Sequence, residues 1–222
     1  MDYFFLSKTL LFQGIHPQDL PAMLSCLGAK QQSFSKDTHI YQTGDMVTSL
    51  GIVLTGSVRI ESIDLWGNTS VLDLAGSGSV FAETYACIPQ EPLMVDVVAA
   101  DSCEILFIDI QRLLTTCSNT CKHHSRLIRN LLTISARKNL TLSRRIFHTS
   151  SKSIRGRLLS YLSFQAAQHG SCQFSIPFNR QQLADYLNVD RSALSNELSK
   201  MRREGLLNTD RNWFFLKKLP QE

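Results

Sequence analysis

The chain has 222 residues, 43% of them apolar, enough for one large or two modest cores and too many for global disorder. No run approaches the roughly 18 apolar residues of a membrane span. The net charge of +4 hides an asymmetry: residues 1–120 hold 5 Lys+Arg against 13 Asp+Glu, residues 121–150 hold 7 basic and no acidic residues, and residues 151–222 hold 11 basic against 6 acidic. An acidic front and a basic back are the pattern of a sensing domain joined to a domain that meets a polyanion.

The N-terminal stretch MDYFFLSKTLLF carries Asp2 and Lys8 and lacks a small-residue cleavage site, so it predicts a structural helix and not a signal peptide. Residues 4–29 read as helical, with a helix-start signal at Asp19-Leu20-Pro21 and with Leu20, Met23, Leu24 and Leu27 on one face before Gly28. From Ser33 the period changes to two. Leu50, Ile52, Leu54, Val58 and Ile60 alternate, Leu65-Trp66-Gly67-Asn68 signals a hairpin, and Val71, Leu72 and Leu74 resume the strand. Val95, Val97 and Val98, then Cys103 to Ile108, are late strands. Many short strands with regular turns predict a small barrel or jelly roll.

After Ile110 the chain turns helical, with a short helix over Gln111 to Thr116 and a long one from about Asn119 to His148. Ile128, Leu131, Leu132, Ser135, Leu142 and Ile146 form a broad stripe on the long helix, flanked by Leu127 and Ile134. A stripe of that breadth predicts packing both on the roll and on a twin subunit. The polar run Thr149 to Ser153 marks a hinge. A helix over Ile154 to Ala167 and a short strand over Phe174 to Phe178 follow.

The stretch NRQQLADYLNVDRSALSNELSKMRREGLL, from Asn179, reads as two helices around a tight turn. Leu183, Ala184 and Leu187 share a face of the first. Asn188-Val189 interrupts the period, and Asp190 stands where an N-cap belongs. Ala193, Leu194, Leu198 and Met201 face inward on the second. Its outer face carries Arg191, Ser192, Ser195, Asn196, Ser199, Lys200 and Arg202, side chains suited to base edges and phosphates. That is the pattern of a helix-turn-helix whose second helix enters the major groove; the bland alternative is a helical hairpin with a solvated face. Trp213 to Leu216, separated from Leu206-Leu207 by Asn208 to Asn212, predicts a hairpin wing.

This order of parts resembles the Crp/Fnr family of bacterial transcription regulators over nearly the whole chain. The resemblance rests on Gly44-Asp45, Gly56 in VLTGSVRI, Gly67, Gly78 and Phe81-Ala82-Glu83 in the roll, and on a match from Arg180 through Leu207 to the family's RQxIAxxxGxSRxTVSRxLxxLxxxGLI pattern. It implies an α+β fold: an N-terminal jelly-roll-like β-roll of the cyclic-nucleotide-binding type over residues 1–118, a long dimerisation helix over 119–148, and a C-terminal winged helix-turn-helix over 149–222. It implies double-stranded DNA, a second copy of the chain, RNA polymerase and a small-molecule effector as partners. No membrane is among them, and the expected location is the cytoplasm. Arg191 and Asn196 are the expected base readers. Arg180, Gln181, Lys200 and Arg202 are the expected phosphate contacts, with Ser192 and Ser195 on the same face. Ser192 and Asn196 stand where family members often carry Glu and Arg.

Members that bind cyclic AMP carry Arg-Ser in the phosphate cassette. Here Leu93-Met94 stand at those places, and no arginine lies between Arg59 and Arg112. A buried phosphate would lack its charge-assisted partner. A cyclic nucleotide is therefore not expected. A pocket near Phe81, Glu83, Thr84, Tyr85, Leu93 and Met94 would take a less anionic effector or none, and the cofactor is unknown.

The six cysteines, at 26, 87, 103, 117, 121 and 172, form no disulfide framework, and reduced thiols are expected. Cys117 and Cys121 are four apart and His124 three further on, a helical spacing that could hold metal or sense oxidant. The competing reading, two small core cysteines, is preferred and no metal is expected. No nucleophile motif or phosphate loop points to an enzyme. Besides the DNA-binding regulator, two functions stand: a ligand-binding module whose C-terminal domain docks a protein, and a metal- or redox-sensing regulator.

Overall fold

The computed structural model describes residues 1–67, 69–115 and 122–217, with only the backbone of Lys122. The chain divides into two compact units, Met1–Arg137 and Lys138–Glu222, and the division falls inside the long helix.

The helical stretch expected over residues 4–29 is broken into separate pieces, and the second helix begins at Leu20, where the start signal Asp19-Leu20-Pro21 places it. Helix α1 spans Tyr3–Lys8, capped by the Asp2 carboxylate, which accepts from the Phe5 amide at 2.9 Å. A single 3-10 turn, Pro17–Asp19, precedes α2 at Leu20–Cys26. The break has two local causes: Gly14 takes a positive φ of 79°, and Pro17 pushes His16 into extended backbone. The apolar face expected for Leu20, Met23, Leu24 and Leu27 is buried.

The roll consists of β1 (Lys30–Phe34), β2 (His39–Tyr41), β3 (Ser49–Thr55), β4 (Ser57–Ile63), β5 (Thr69–Gly76), β6 (Val80–Phe81), the short helix α3 (Glu83–Cys87), β7 (Asp96–Ala99) and β8 (Cys103–Asp109). Two four-stranded antiparallel sheets form, ordered β1-β8-β3-β6 and β2-β7-β4-β5. Val53, Val58, Phe81, Val97, Ala99 and Ile105 make one core cluster. Gly51 is required there by contact and not by its backbone angle. A Cβ built on it would lie 2.2 Å from the Phe81 ring, so the aromatic edge occupies the space that any other residue would need.

After α4 (Ile110–Leu114), α5 runs over Lys122–Thr149. Its apolar stripe is two faces. Leu127, Leu131 and Ile134 are buried in one cluster with Leu6, Leu11, Phe12 and Leu20. The Asn130 amide fixes the helix further, donating to the carbonyls of Leu11 at 2.8 Å and Gln13 at 2.9 Å. Leu132, Leu142 and Ile146 point outward, 68%, 61% and 68% exposed. Leu131 thus belongs to the roll and not to the outward seam with which its spacing groups it.

The second unit holds the last turns of α5, then α6 (Ile154–His169), β9 (Gln173–Ser175), α7 (Arg180–Leu187), α8 (Arg191–Arg203), β10 (Leu207–Asp210) and β11 (Trp213–Leu216). The three strands pair antiparallel in the order β10-β11-β9. Leu158, Leu162, Leu183, Leu194, Leu198 and Phe214 are the fully enclosed centre of this unit.

Candidate nucleic-acid interface

Helix α7 starts at a capping box. The Asn179 side chain accepts from the Gln182 amide, and the Gln182 side chain accepts from the Asn179 amide. It ends at Asn188, whose left-handed φ of 53° turns the chain sharply. Four carbonyls at this end face two arginines. Arg145, on α5, donates to the carbonyls of Asp185 at 2.9 Å and Tyr186 at 3.1 Å. Arg157, on α6, donates to those of Leu187 at 3.0 Å and Asn188 at 2.7 Å. Asp185 also accepts from the Asn188 amide at 3.2 Å; the terminal carbonyls are short of helical partners and carry partial negative charge, so guanidinium groups belong there. Neither arginine stands out in a sequence scan, because its partner is backbone.

Asp190 caps α8 as its position predicts, accepting from the Ala193 amide at 2.9 Å and from the Ser192 hydroxyl. Those hydrogen bonds hold its carboxyl below the usual carboxylate range, the Ser192 hydroxyl contributing most. Leu194, Leu198 and Met201 turn into the core. Arg191, Ser192, Asn196, Ser199, Lys200 and Arg202 are exposed on the opposite side and Ser195 is half-buried. Arg203, exposed on the same face, was absent from the sequence reading, its signal being only its helical spacing from Ser199. Arg155 on α6 clamps the helix from behind: it bonds Glu197 at 2.6 Å and grips Glu204 through two 2.8 Å contacts.

Three predicted contact residues are engaged within the chain. Arg180 donates to the Thr209 hydroxyl at 2.9 Å and lies over the Phe214 ring, bracing α7 against the wing. Gln181 donates to Asp185 at 2.8 Å. The Ser192 hydroxyl turns back to its own cap.

The six residues expected around an effector do not share one environment. Phe81 is in the roll core. Leu93 is buried in the cluster beneath α1 and α2, with Tyr85 packed against it. Glu83 is buried, Thr84 is exposed and Met94 is 72% exposed. Cys117 and Cys121 lie outside the described residues. His124 is buried at the start of α5, and no group of three metal-ligating side chains occurs among the described residues.

Taken with the roll, these features define a transcription regulator that joins an effector-type domain to a DNA-binding domain. The profile of the cyclic nucleotide-binding domain matches residues 31–120, and that of the Crp-like helix-turn-helix domain matches residues 156–221. The chain belongs to the Crp/Fnr family of bacterial transcription regulators. No match was found among curated proteins. Among solved structures, CprK in complex with OCPA is 15% identical, with 91% of this chain and 90% of that one covered and a TM-score of 0.64. The regulator CLP of Xanthomonas campestris is 19% identical, covering 91% and 100%, TM-score 0.57. The catabolite activator protein of Thermus thermophilus is 20% identical, covering 94% of each chain, TM-score 0.51. At these identities the likeness is one of fold. No helix among the described residues is long and apolar enough to cross a membrane.

His148 joins the end of α5 to this domain. It is buried against Tyr161, Phe164 and Tyr186, its Nδ1 3.0 Å from the Ser160 hydroxyl. Its Nε2 and the Tyr161 hydroxyl have no hydrogen-bond partner among the described residues. Burial first, and the nearby Arg144 second, hold its pKa below the ordinary 6.5. The unfolded chain therefore binds the proton more readily, so the stability His148 contributes is complete above about pH 6.5 and is lost as pH falls towards its folded value. Urea denaturation between pH 7.5 and 5 should show the second unit weakening with acid, and His148→Gln should flatten that slope.

Proposed function

We propose that the protein is a homodimeric, sequence-specific transcription regulator acting in the cytoplasm, whose roll does not answer to cyclic AMP. The observation that carries the dimer is the outward face of α5. Ile128, Leu132, Ser135, Asn139, Leu142 and Ile146 recur at alternating steps of four and three, the spacing of a two-stranded seam. Leu132, Leu142 and Ile146 are exposed in the single chain. Asn139 stands in the middle, at a position where one buried amide specifies a dimer and its register at a cost in stability. Sedimentation should show a dimer at micromolar concentration. Asn139→Leu should tighten it, and Leu142→Glu should weaken both it and operator binding, because a charge enters an apolar seam. A wild-type monomer at that concentration would sink this reading.

In a dimer, two copies of α8 would read two half-sites. Arg191 and Asn196 are the base readers in this reading, with guanine O6 and N7 and an adenine edge as their targets. Lys200, Arg202 and Arg203 meet phosphates. Arg180 acts by holding the wing to α7. Arg191→Ala should cost about 1–3 kcal/mol on the operator and relax preference at one base pair. Lys200→Ala should weaken all sequences alike and flatten the salt dependence by about one unit. Fluorescence anisotropy on single-base variants across a salt series checks both; equal losses for Arg191→Ala on every variant would make it a phosphate contact. Activation or repression would pass through RNA polymerase.

The effector reading rests on Leu93 and Met94. One is core and the other faces solvent, and neither can pair with a phosphate. Arg59, the last basic residue before Arg112 in sequence, is bonded to Asp37 and Glu61. CprK is solved in complex with OCPA and CLP is a c-di-GMP-responsive regulator, so the fold accommodates different effectors. Titration calorimetry with cyclic AMP and cyclic GMP should give no binding heat. A dissociation constant near 1 µM, about −8 kcal/mol, would overturn the reading.

A further inference from the structure

The joint between α5 and α6 encloses a side chain that can take up a proton and has no partner for it. His148 is the next-to-last residue of α5 and is 1% exposed. Rings surround it at 5.2 to 6.2 Å between centroids: Phe147 of the same helix, Tyr161 and Phe164 of α6, and Tyr186 of α7. The bond between Nδ1 and the Ser160 hydroxyl satisfies one of its two nitrogens. Nε2 meets no partner among the described residues, and neither does the Tyr161 hydroxyl in the same box.

An imidazolium is a donor at both nitrogens. Its Nε2 proton would be a buried, charged donor without an acceptor, which costs more than a neutral one. The groups around the ring offer no relief. Ser160 and Tyr161 on α6 and Tyr186 on α7 are neutral, burial holding both phenols above their ordinary 10. The charged groups behind the rings are cations: Arg144 lies over Phe164 at 5.3 Å and Arg145 over Tyr186 at 5.9 Å. The ring faces and the C-terminal end of α5 favour a cation, but enclosure and Arg144 outweigh them.

The place of this group decides what its departure does. Arg145, three residues earlier on the same helix, holds the Asp185 and Tyr186 carbonyls at the end of α7. Tyr186 is also a wall of the box. One short stretch of α5 thus carries both the proton-sensitive group and a grip on the helix-turn-helix. Helix ends open locally at small cost, so linkage to a single proton is enough to populate the opened form. We propose that His148 makes this joint an acid-sensitive latch: protonation expels its side chain from the ring box, the end of α5 loosens from α7, and the operator is released. This rests on the DNA-binding reading of α8 and adds a regulation by pH to it. The latch is closed above about pH 6.5 and opens as pH falls below it, because the opened form binds the proton that the closed form excludes.

The test uses the full-length chain and the duplex that it selects at neutral pH from a randomised pool. Operator affinity is read by fluorescence anisotropy from neutral pH down to about pH 5 for the wild type, His148→Phe and His148→Gln. Phenylalanine fills the box with nothing to protonate, and glutamine keeps a neutral hydrogen-bonding side chain. Charges common to all three chains give a shared pH dependence. Below about pH 6.5 the wild type should fall away from both variants, by up to about tenfold per pH unit, the limit for one proton. Hydrogen exchange on the same samples, corrected for its own pH dependence, should show residues 144–149 and 180–187 of the wild type opening over that range before the rest of the unit. Parallel affinity curves for the three chains overturn the latch. So does wild-type exchange at 144–149 that does not change with pH, a result that stands even if neither variant folds. A wild type that selects no duplex at neutral pH overturns the DNA-binding reading and the latch with it.

Discussion

The C-terminal end of α7 is the constraint on which the DNA-binding unit depends. A helix-turn-helix needs its first helix to stop abruptly so that the second can leave at a fixed angle. Stopping, at the left-handed Asn188, leaves carbonyls without helical partners or, at Asp185, with only the cap amide, and their remaining accepting capacity must be met. Arg145 and Arg157 take four of them, from two different helices. The same contacts that satisfy the backbone therefore set where α5 and α6 stand against the turn. His148, enclosed by aromatic rings one turn beyond Arg145, makes the joint rigid on its other side.

The long helix has a different task on each face. Leu127, Leu131 and Ile134 bind it to the N-terminal helices, and Asn130 locks that seat through two backbone carbonyls. The opposite face is apolar and uncovered at Leu132, Leu142 and Ile146. The polar pair Ser135 and Asn139 interrupts it where the two compact units divide, between Arg137 and Lys138. The outward face is thus least apolar at the point where one unit gives way to the other.

In the roll the aromatic interior is tightly fitted. Phe81 packs edge-on to Tyr41 and Phe107, and Gly51 gives it room. Burial, with Asp45 adding to it, raises the Tyr41 phenol to about 12, so it stays neutral, and its hydroxyl donates to the Ser49 carbonyl. Such an interior is closely packed around its aromatic rings.

The sequence by itself determined the parts: the change of period from two to 3.6, the Asp190 cap, the polar outer face of α8, and the absence of a cation from residues 60–111. These are legible because each is a local rule of backbone or charge. It read residues 4–29 as helical and marked the helix start at Asp19-Leu20-Pro21, but not the break before it, where Gly14 and Pro17 outweigh the apolar period. It also grouped Leu131 with Leu132, since one-dimensional spacing cannot say which of two neighbouring faces meets which surface. Only the tertiary structure decided that Arg180 and Ser192 are engaged within the chain, that Leu93 and Met94 have opposite environments, and that Arg145 and Arg157 close the end of α7. Each of those depends on backbone atoms or rings distant in sequence, and a side chain's hydrogen-bonding capacity does not state which of them it will meet.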